Sequence, residues 1–147
     1  MIPQTSEVLL KVYHATITFV AWASDLLTDI PKSLSVHNQF DRASTSIPLN
    51  IAEGNGKYTS ADRCRFFDNA RGSTLECAAC LDVLVAKSLV EQAVAMAGKG
   101  MLIEIVSMRV LCQFRAVNVV KAQVGLIRSN SPSRDAWNMR LIEAVLD

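Results

Sequence analysis

The sequence predicts an all-α protein, a four-helix bundle that associates with copies of itself. Three observations carry that prediction. Apolar residues recur at helical spacing through four stretches separated by proline, glycine and other turn-forming residues. Half of the 147 residues are hydrophobic and only 20% are charged, an apolar balance rich for a monomer of this size. Third, the stretch from Ser46 to Tyr58 reads S-I-P-L-N-I-A-E-G-N-G-K-Y, an amphipathic helix running into a short glycine-containing turn. So short a turn makes the following helix fold back antiparallel.

The first helix is expected from about Ser6 to Asp29. Ser6 is the N-cap candidate, Leu9, Val12, Tyr13, Thr16, Val20, Ala23 and Leu27 form the inner face, and Pro31 ends it. The second begins near Ser35 and carries a narrow stripe of Val36, Phe40, Ala43, Ile47 and Ile51. Beside it Gln39, Arg42, Ser46, Asn50 and Glu53 recur at steps of three and four, a polar seam along one flank of the stripe. Pro48 removes one backbone donor, so a kink near Ser44 to Pro48 is expected. Gly54 and Gly56 are expected to close the helix through the left-handed conformation.

Thr59 with Asp62 resembles a capping box and opens the third helix, which continues to about Lys87 and is roughly 40 Å long at 1.5 Å per residue. Its inner face is Phe66, Phe67, Ala70, Thr74, Cys77, Ala78, Leu81, Leu84 and Val85. On the opposite face Gly72, Ala79 and Ala86 fall seven residues apart, flanked by Leu75 and Val83, and this is the predicted oligomer interface. A loop from Glu91 to Gly100, with room for a short turn at Gln92 to Met96, leads to the fourth helix, Met101 to Arg128. Arg109 and Gln113 sit inside its apolar arc, so Arg109 needs a carboxylate; Arg115, Lys121 and Arg128 point outward. Ser129 to Ser133 breaks the chain before a short amphipathic tail. The expected organisation is a bundle over 1–130 and a tail over 131–147.

The formal charge of +1 does not advertise a polyanion partner for the molecule as a whole. Between positions 99 and 140, however, Lys99, Arg109, Arg115, Lys121, Arg128, Arg134 and Arg140 outweigh Glu104 and Asp135. The N-terminus lacks the pattern of a signal peptide, and charges interrupt the longest apolar windows, so the expected location is the cytoplasm with no membrane span. Cys64, Cys77, Cys80 and Cys112 lie in predicted helices and read as reduced core thiols.

Arg42, Asn50, Glu53, Asn69, Ser73, Glu76 and Arg109 are candidates for one polar network, with Glu53 or Glu76 pairing Arg109 or Arg42. If covered they must pair, because an unpaired buried charge costs on the order of several kcal/mol; if open, they are solvated groove residues. Neither His14 nor His37 follows a glutamate by three residues, so a di-metal bundle is not expected, nor is any cofactor. His14 reads as half-buried and His37 as a surface residue. Cys77-x-x-Cys80 lies mid-helix and reads as packing rather than redox chemistry. No nucleophile triad is arranged, and Gly54, Gly56 and Lys57 lack phosphate-loop spacing. For nucleic acid the candidates are Arg115, Lys121 and Arg128, with Lys57, Arg63 and Arg65 near the second turn; the plainer alternative is a solvated face partly neutralised by Asp62, Asp68 and Glu104.

Gln39, Arg42, Ala43, Ser46, Ile47, Asn50, Ile51, Ala52, Glu53 and Gly54, followed by Phe67, Ala70, Gly72, Ser73 and Glu76, carry a resemblance. The N-I-A-E-G to G-S-x-x-E spacing resembles the bacterial four-helix bundle family of 23S rRNA intervening-sequence proteins. It is also similar to the accessory variability determinants of diversity-generating retroelements. The resemblance covers the first helix to about the end of the fourth, departs at Asp68 and Asn69, where the pattern has aliphatic residues, and stops before the tail. It implies an up-down-up-down bundle, a homopentamer, no enzyme activity and, by the retroelement members, partners among nucleic acids and reverse transcriptase. A pentamer would repeat three outward cations into a band that tracks phosphates. The function expected is a nucleic-acid-associated accessory protein binding RNA or DNA, with an assembly scaffold docking a protein partner as the alternative.

Overall fold

In the computed structural model, residues 5–107 are described, with side chains from residue 7 onward. α1 spans Thr5–Thr28, α2 Ser35–Asn55 and α3 Ser60–Ala86. A fourth helix, α4, begins at residue 92 and continues to residue 107. The described residues are all-α, a four-helix bundle without strands. None of these helices is long and apolar enough to cross a membrane. The expected junction near 130 and the tail over 131–147 lie outside the described residues.

α2 packs against both α1 and α3, and α4 closes the group by reaching α1 at Trp22 and α3 at Leu81 and Asp82. The shared core is built from Val12, Phe19 and Ala23 of α1, Phe40, Ile47 and Ile51 of α2, Leu81 and Leu84 of α3, and Leu102 and Ile105 of α4. Phe19 packs edge-on against Phe40 with centroids 6.2 Å apart, and stacks on Trp22 at 5.7 Å. It takes the central position expected of Val20, which is only half-buried. Steps of three or four fit either residue, and the larger ring fills the space where α1 and α2 meet.

The stripe on α2 is wider than the narrow one expected. His37, Ser44 and Pro48 are buried in a second line beside Val36, Phe40, Ala43, Ile47 and Ile51. His37 is therefore a core residue and not a surface one, whereas His14 is exposed and not half-buried. α2 continues as one helix through Pro48, and the nearby Ser44 hydroxyl donates to the Asp41 carbonyl at 3.0 Å. Ser6 lies inside the first turn of α1 and is not its cap.

The turn after α2 corrects the reason given for its glycines. Gly56 caps the helix with φ −80°, in the right-handed region. Gly54 is needed for space instead: a Cβ there would stand 2.9 Å from Phe67 Cε1 and 3.0 Å from Phe66 Cβ. Thr59 caps α3, accepting from the Asp62 backbone N–H at 3.1 Å. Its hydroxyl donates to the Asp62 carboxylate at 2.7 Å, so the shorter aspartate closes the box on the side chain where glutamate reaches the backbone. At the other end Ser88 adopts φ 57°. Ser88 N–H bonds the Val85 carbonyl at 2.8 Å and Leu89 N–H bonds Leu84 at 2.9 Å, the paired bonds of a Schellman motif.

The expected loop at 91–100 is helix from residue 92. Val94 and Ala95 N–H both reach the Glu91 carbonyl, and the alanine- and methionine-rich segment that follows favours helix. Gly98 is buried because α4 crosses α1 there: a Cβ would overlap Trp22 Cη2 and lie 2.9 Å from Leu81 Cδ1. Lys99, part of the basic excess between positions 99 and 140, is buried, and its Nζ is 2.8 Å from the Asp82 carboxylate.

Candidate functional site

The polar seam of α2 does form one wall of a groove. Gln39, Arg42, Ser46 and Asn50 line an open cleft of about 470 Å³ together with Ser73 and Glu76 of α3. Asn50 Nδ2 donates to the Ser46 carbonyl at 2.8 Å and to Ser46 Oγ at 2.9 Å. Ser73 Oγ lies within donating distance of two acceptors, Ser46 Oγ at 2.9 Å and the Asn69 carbonyl at 3.1 Å. The bond from Ser73 to Ser46 links the helices, a contribution of roughly 0.5–1.5 kcal/mol net.

The charged members of the expected network behave differently from its hydroxyl and amide members. Arg42, Glu53 and Glu76 are exposed, so water solvates them and no desolvation cost demands pairing. Glu53 pairs with Lys57 at 3.3 Å, one turn along the same helix, and not with Arg42. Asn69 and Asp68 are exposed as well, so polar residues where the family pattern is aliphatic meet water and not the core. Arg109, Arg115, Lys121 and Arg128 lie outside the described residues. Ser46, which the sequence places in the seam but not among the network candidates, is central to it.

A second constellation surrounds the turn from α2 to α3. Lys57 Nζ sits 4.8 Å from the Phe66 ring centroid, and the Arg65 guanidinium carbon is 5.3 Å from the same centroid. These are cation–π distances. Arg63, in the same segment, is half-buried, and its Nε is buried without a hydrogen-bond partner among the described residues. Tyr58 is fully exposed, at 104% of its reference area. Phe66, expected on the inner face of α3, is half-buried, and the sequence pattern assigns Tyr58 no role. The alternation of aromatic and basic residues in K-Y-T-S-A-D-R-C-R-F was the available signal.

On the outer flank of α3, Gly72, Ala79, Val83 and Ala86 are exposed, while Leu75 is half-buried against the core. A Cβ at Gly72 would meet nothing within 4 Å. Cys77 and Cys80 are free and buried. Burial, joined by the Glu76 charge, pushes the Cys80 thiol up to about 11 and the Cys77 thiol higher still, with Cys80 adding to the shift at Cys77. Thiols so shifted are poor nucleophiles near neutral pH.

No curated protein matches this sequence. The family model described as 23S rRNA-intervening sequence protein matches residues 9–110, from α1 through the described part of α4 and just beyond. That match spans well over half of the chain and includes the seam, the turn and the flank of α3. The chain belongs to the 23S rRNA-intervening sequence protein family.

Proposed function

We propose that this chain is a non-enzymatic accessory protein of the cytoplasm that assembles as a homo-oligomer, a pentamer by the family resemblance, and binds RNA or DNA through a basic outer surface. Its helices run up-down-up-down; the pairing of Gly54 with Phe67 and of Ser46 with Ser73, where one number falls as the other rises, supports an antiparallel α2 and α3. The observation that carries the function is the turn cluster. Two cations gathered on one phenyl ring, one of them next in sequence to an exposed tyrosine, form a small basic and aromatic surface at the α2–α3 turn. Membership of a family named for an rRNA insertion agrees with it. A ring of subunits would repeat the cluster and add Arg115, Lys121 and Arg128 to it. The test is binding of the purified protein to mixed RNA and DNA across a salt series, comparing wild type with a Lys57→Glu, Arg65→Glu variant. Affinity that falls with salt and with charge reversal supports the reading; no binding at low salt refutes it.

The exposed small-residue flank Gly72, Ala79, Val83 and Ala86 favours a second reading, an assembly scaffold that docks a reverse transcriptase or other protein partner. A Gly72→Arg variant separates its two parts. Loss of the oligomer by light scattering assigns the flank to self-association, and an unchanged oligomer that no longer captures the partner assigns it to docking.

A further inference from the structure

We propose that the α2–α3 turn selects single-stranded over duplex nucleic acid, stacking one base on Tyr58 while Lys57 and Arg65 hold the adjoining phosphates. The inference deepens the nucleic-acid reading above and rests on it. Duplex binding is mainly electrostatic, with affinity set by the number of phosphates neutralised. The described surface is poorly equipped for that. Lys57 shares its charge with Glu53, Arg71 lies 3.6 Å from Asp68, Lys11 is 3.3 Å from Glu7, and Lys99 is buried against Asp82. The whole chain carries a formal charge of only +1. Stacking of an unpaired base on an aromatic face adds affinity without further charge, and duplex bases have no face to offer.

Tyr58 meets the requirements of such a platform. Its ring contributes nothing to the core, and it makes no hydrogen bond or ring contact among the described residues. Its backbone is nevertheless held. On one side Gly56 N–H bonds the Ala52 and Glu53 carbonyls and Lys57 N–H bonds Gly54; on the other Thr59 is fixed by its cap to Asp62. The ring is thus displayed from a defined turn, which lowers the ordering cost of binding. Phe66 is the positioning residue. By drawing Lys57 and Arg65 to one ring it keeps their charges within about 10 Å of each other, and Lys57 immediately precedes the tyrosine in sequence.

The test uses the full chain, a fluorescent mixed-sequence single-stranded 20-mer, its RNA counterpart and the matching duplex, read by anisotropy at low salt. Single strands are expected to bind more tightly than duplex. Tyr58→Ala is expected to weaken single-strand binding about 5- to 150-fold and leave duplex binding unchanged. Tyr58→Phe should stay within about 2-fold of wild type, because stacking does not need the hydroxyl. Equal binding of strand and duplex with no effect of Tyr58→Ala overturns the stacking proposal but leaves a charge-based interface standing if Lys57→Glu, Arg65→Glu still weakens both. Failure of every probe to bind at low salt removes the nucleic-acid reading itself. Since Tyr58 is fully exposed, its variants are expected to keep the wild-type circular dichroism.

Discussion

Two glycines of α4, two residues apart, are expected to respond to alanine with opposite signs. At Gly98 a Cβ would overlap Trp22 Cη2, with Trp22 Cζ3 at 2.7 Å and Leu81 Cδ1 at 2.9 Å. Alanine gains about 1 kcal/mol over glycine in a helix interior. Against that gain stands overpacking, which costs about 1–3 kcal/mol in a filled core. Leu81 is fully buried and cannot withdraw. Trp22 is half-buried and can swing outward, but only by leaving its stack on Phe19, a further loss of roughly 0.5–1.5 kcal/mol. The net effect of Gly98→Ala is a destabilisation of about 1–3 kcal/mol, or a fall in Tm of roughly 2–12 °C for a chain of this size. At Gly100 a Cβ would meet nothing within 4 Å, so Gly100→Ala keeps the propensity gain of up to about 1 kcal/mol. Both are measured by urea unfolding followed by circular dichroism at one fixed protein concentration, because the proposed self-association would make stability concentration-dependent. A Gly98→Ala protein as stable as wild type would refute the close crossing of α4 over α1.

Ser88→Gly should stabilise the protein by about 1 kcal/mol, since the residue after α3 sits at φ 57° and glycine adopts that conformation without a Cβ penalty; a thermal melt reads it. The Lys99 and Asp82 pair should be asymmetric, because the lysine side chain is 7% exposed and the aspartate 54%. Asp82→Ala removes a carboxylate from a buried ammonium and should cost about 1–2 kcal/mol, below the 3–5 kcal/mol of a fully buried pair, whereas Lys99→Met should be close to neutral by urea unfolding. The buried thiols are expected to weaken the fold at alkaline pH. The native state keeps protons that the unfolded chain releases above pH 9, so stability should fall as pH rises from 9 through 11. The slope is at most about 1.4 kcal/mol per pH unit for each thiol, and a Cys77→Ala, Cys80→Ala variant should fall less steeply in urea unfolding over that range.

The parts of this fold legible in the sequence are those governed by period. The stripe from Val36 to Ile51 and the seam from Gln39 to Glu53 recur at helical steps; the stripe stands in the core, and Gln39, Arg42, Ser46 and Asn50 of the seam line the groove while Glu53 pairs with Lys57 outside it. What period does not encode was misread. Gly98 and Gly100 look like a loop because glycine is a poor helix former, yet at Gly98 tertiary packing needs the missing Cβ and overrides propensity. Gly54 reads from the sequence as a conformational device and is a spatial one. Lys99 counts as surface charge in any tally of composition, and only the crossing of α4 over α3 reveals that it is covered. At the candidate site the hydroxyl and amide members follow the helical period and the Glu53–Lys57 pair follows i,i+4 spacing, whereas the meeting of Lys57 and Arg65 on Phe66 depends on how the turn folds.

Gly54 also acts as a gauge. α2 and α3 come together at its bare backbone against Phe67, and the bond between Ser46 and Ser73 lies eight positions back along α2, about 12 Å away at the helical rise. The turn is a fixed pivot, so a side chain at 54 would wedge the helices apart, and their separation would grow with distance like the arms of a compass. The width of the groove is therefore dictated from a point that no groove-lining residue occupies. Variation at this one position would retune the bond from Ser73 to Ser46, which crosses the cleft, without altering a single residue in its walls.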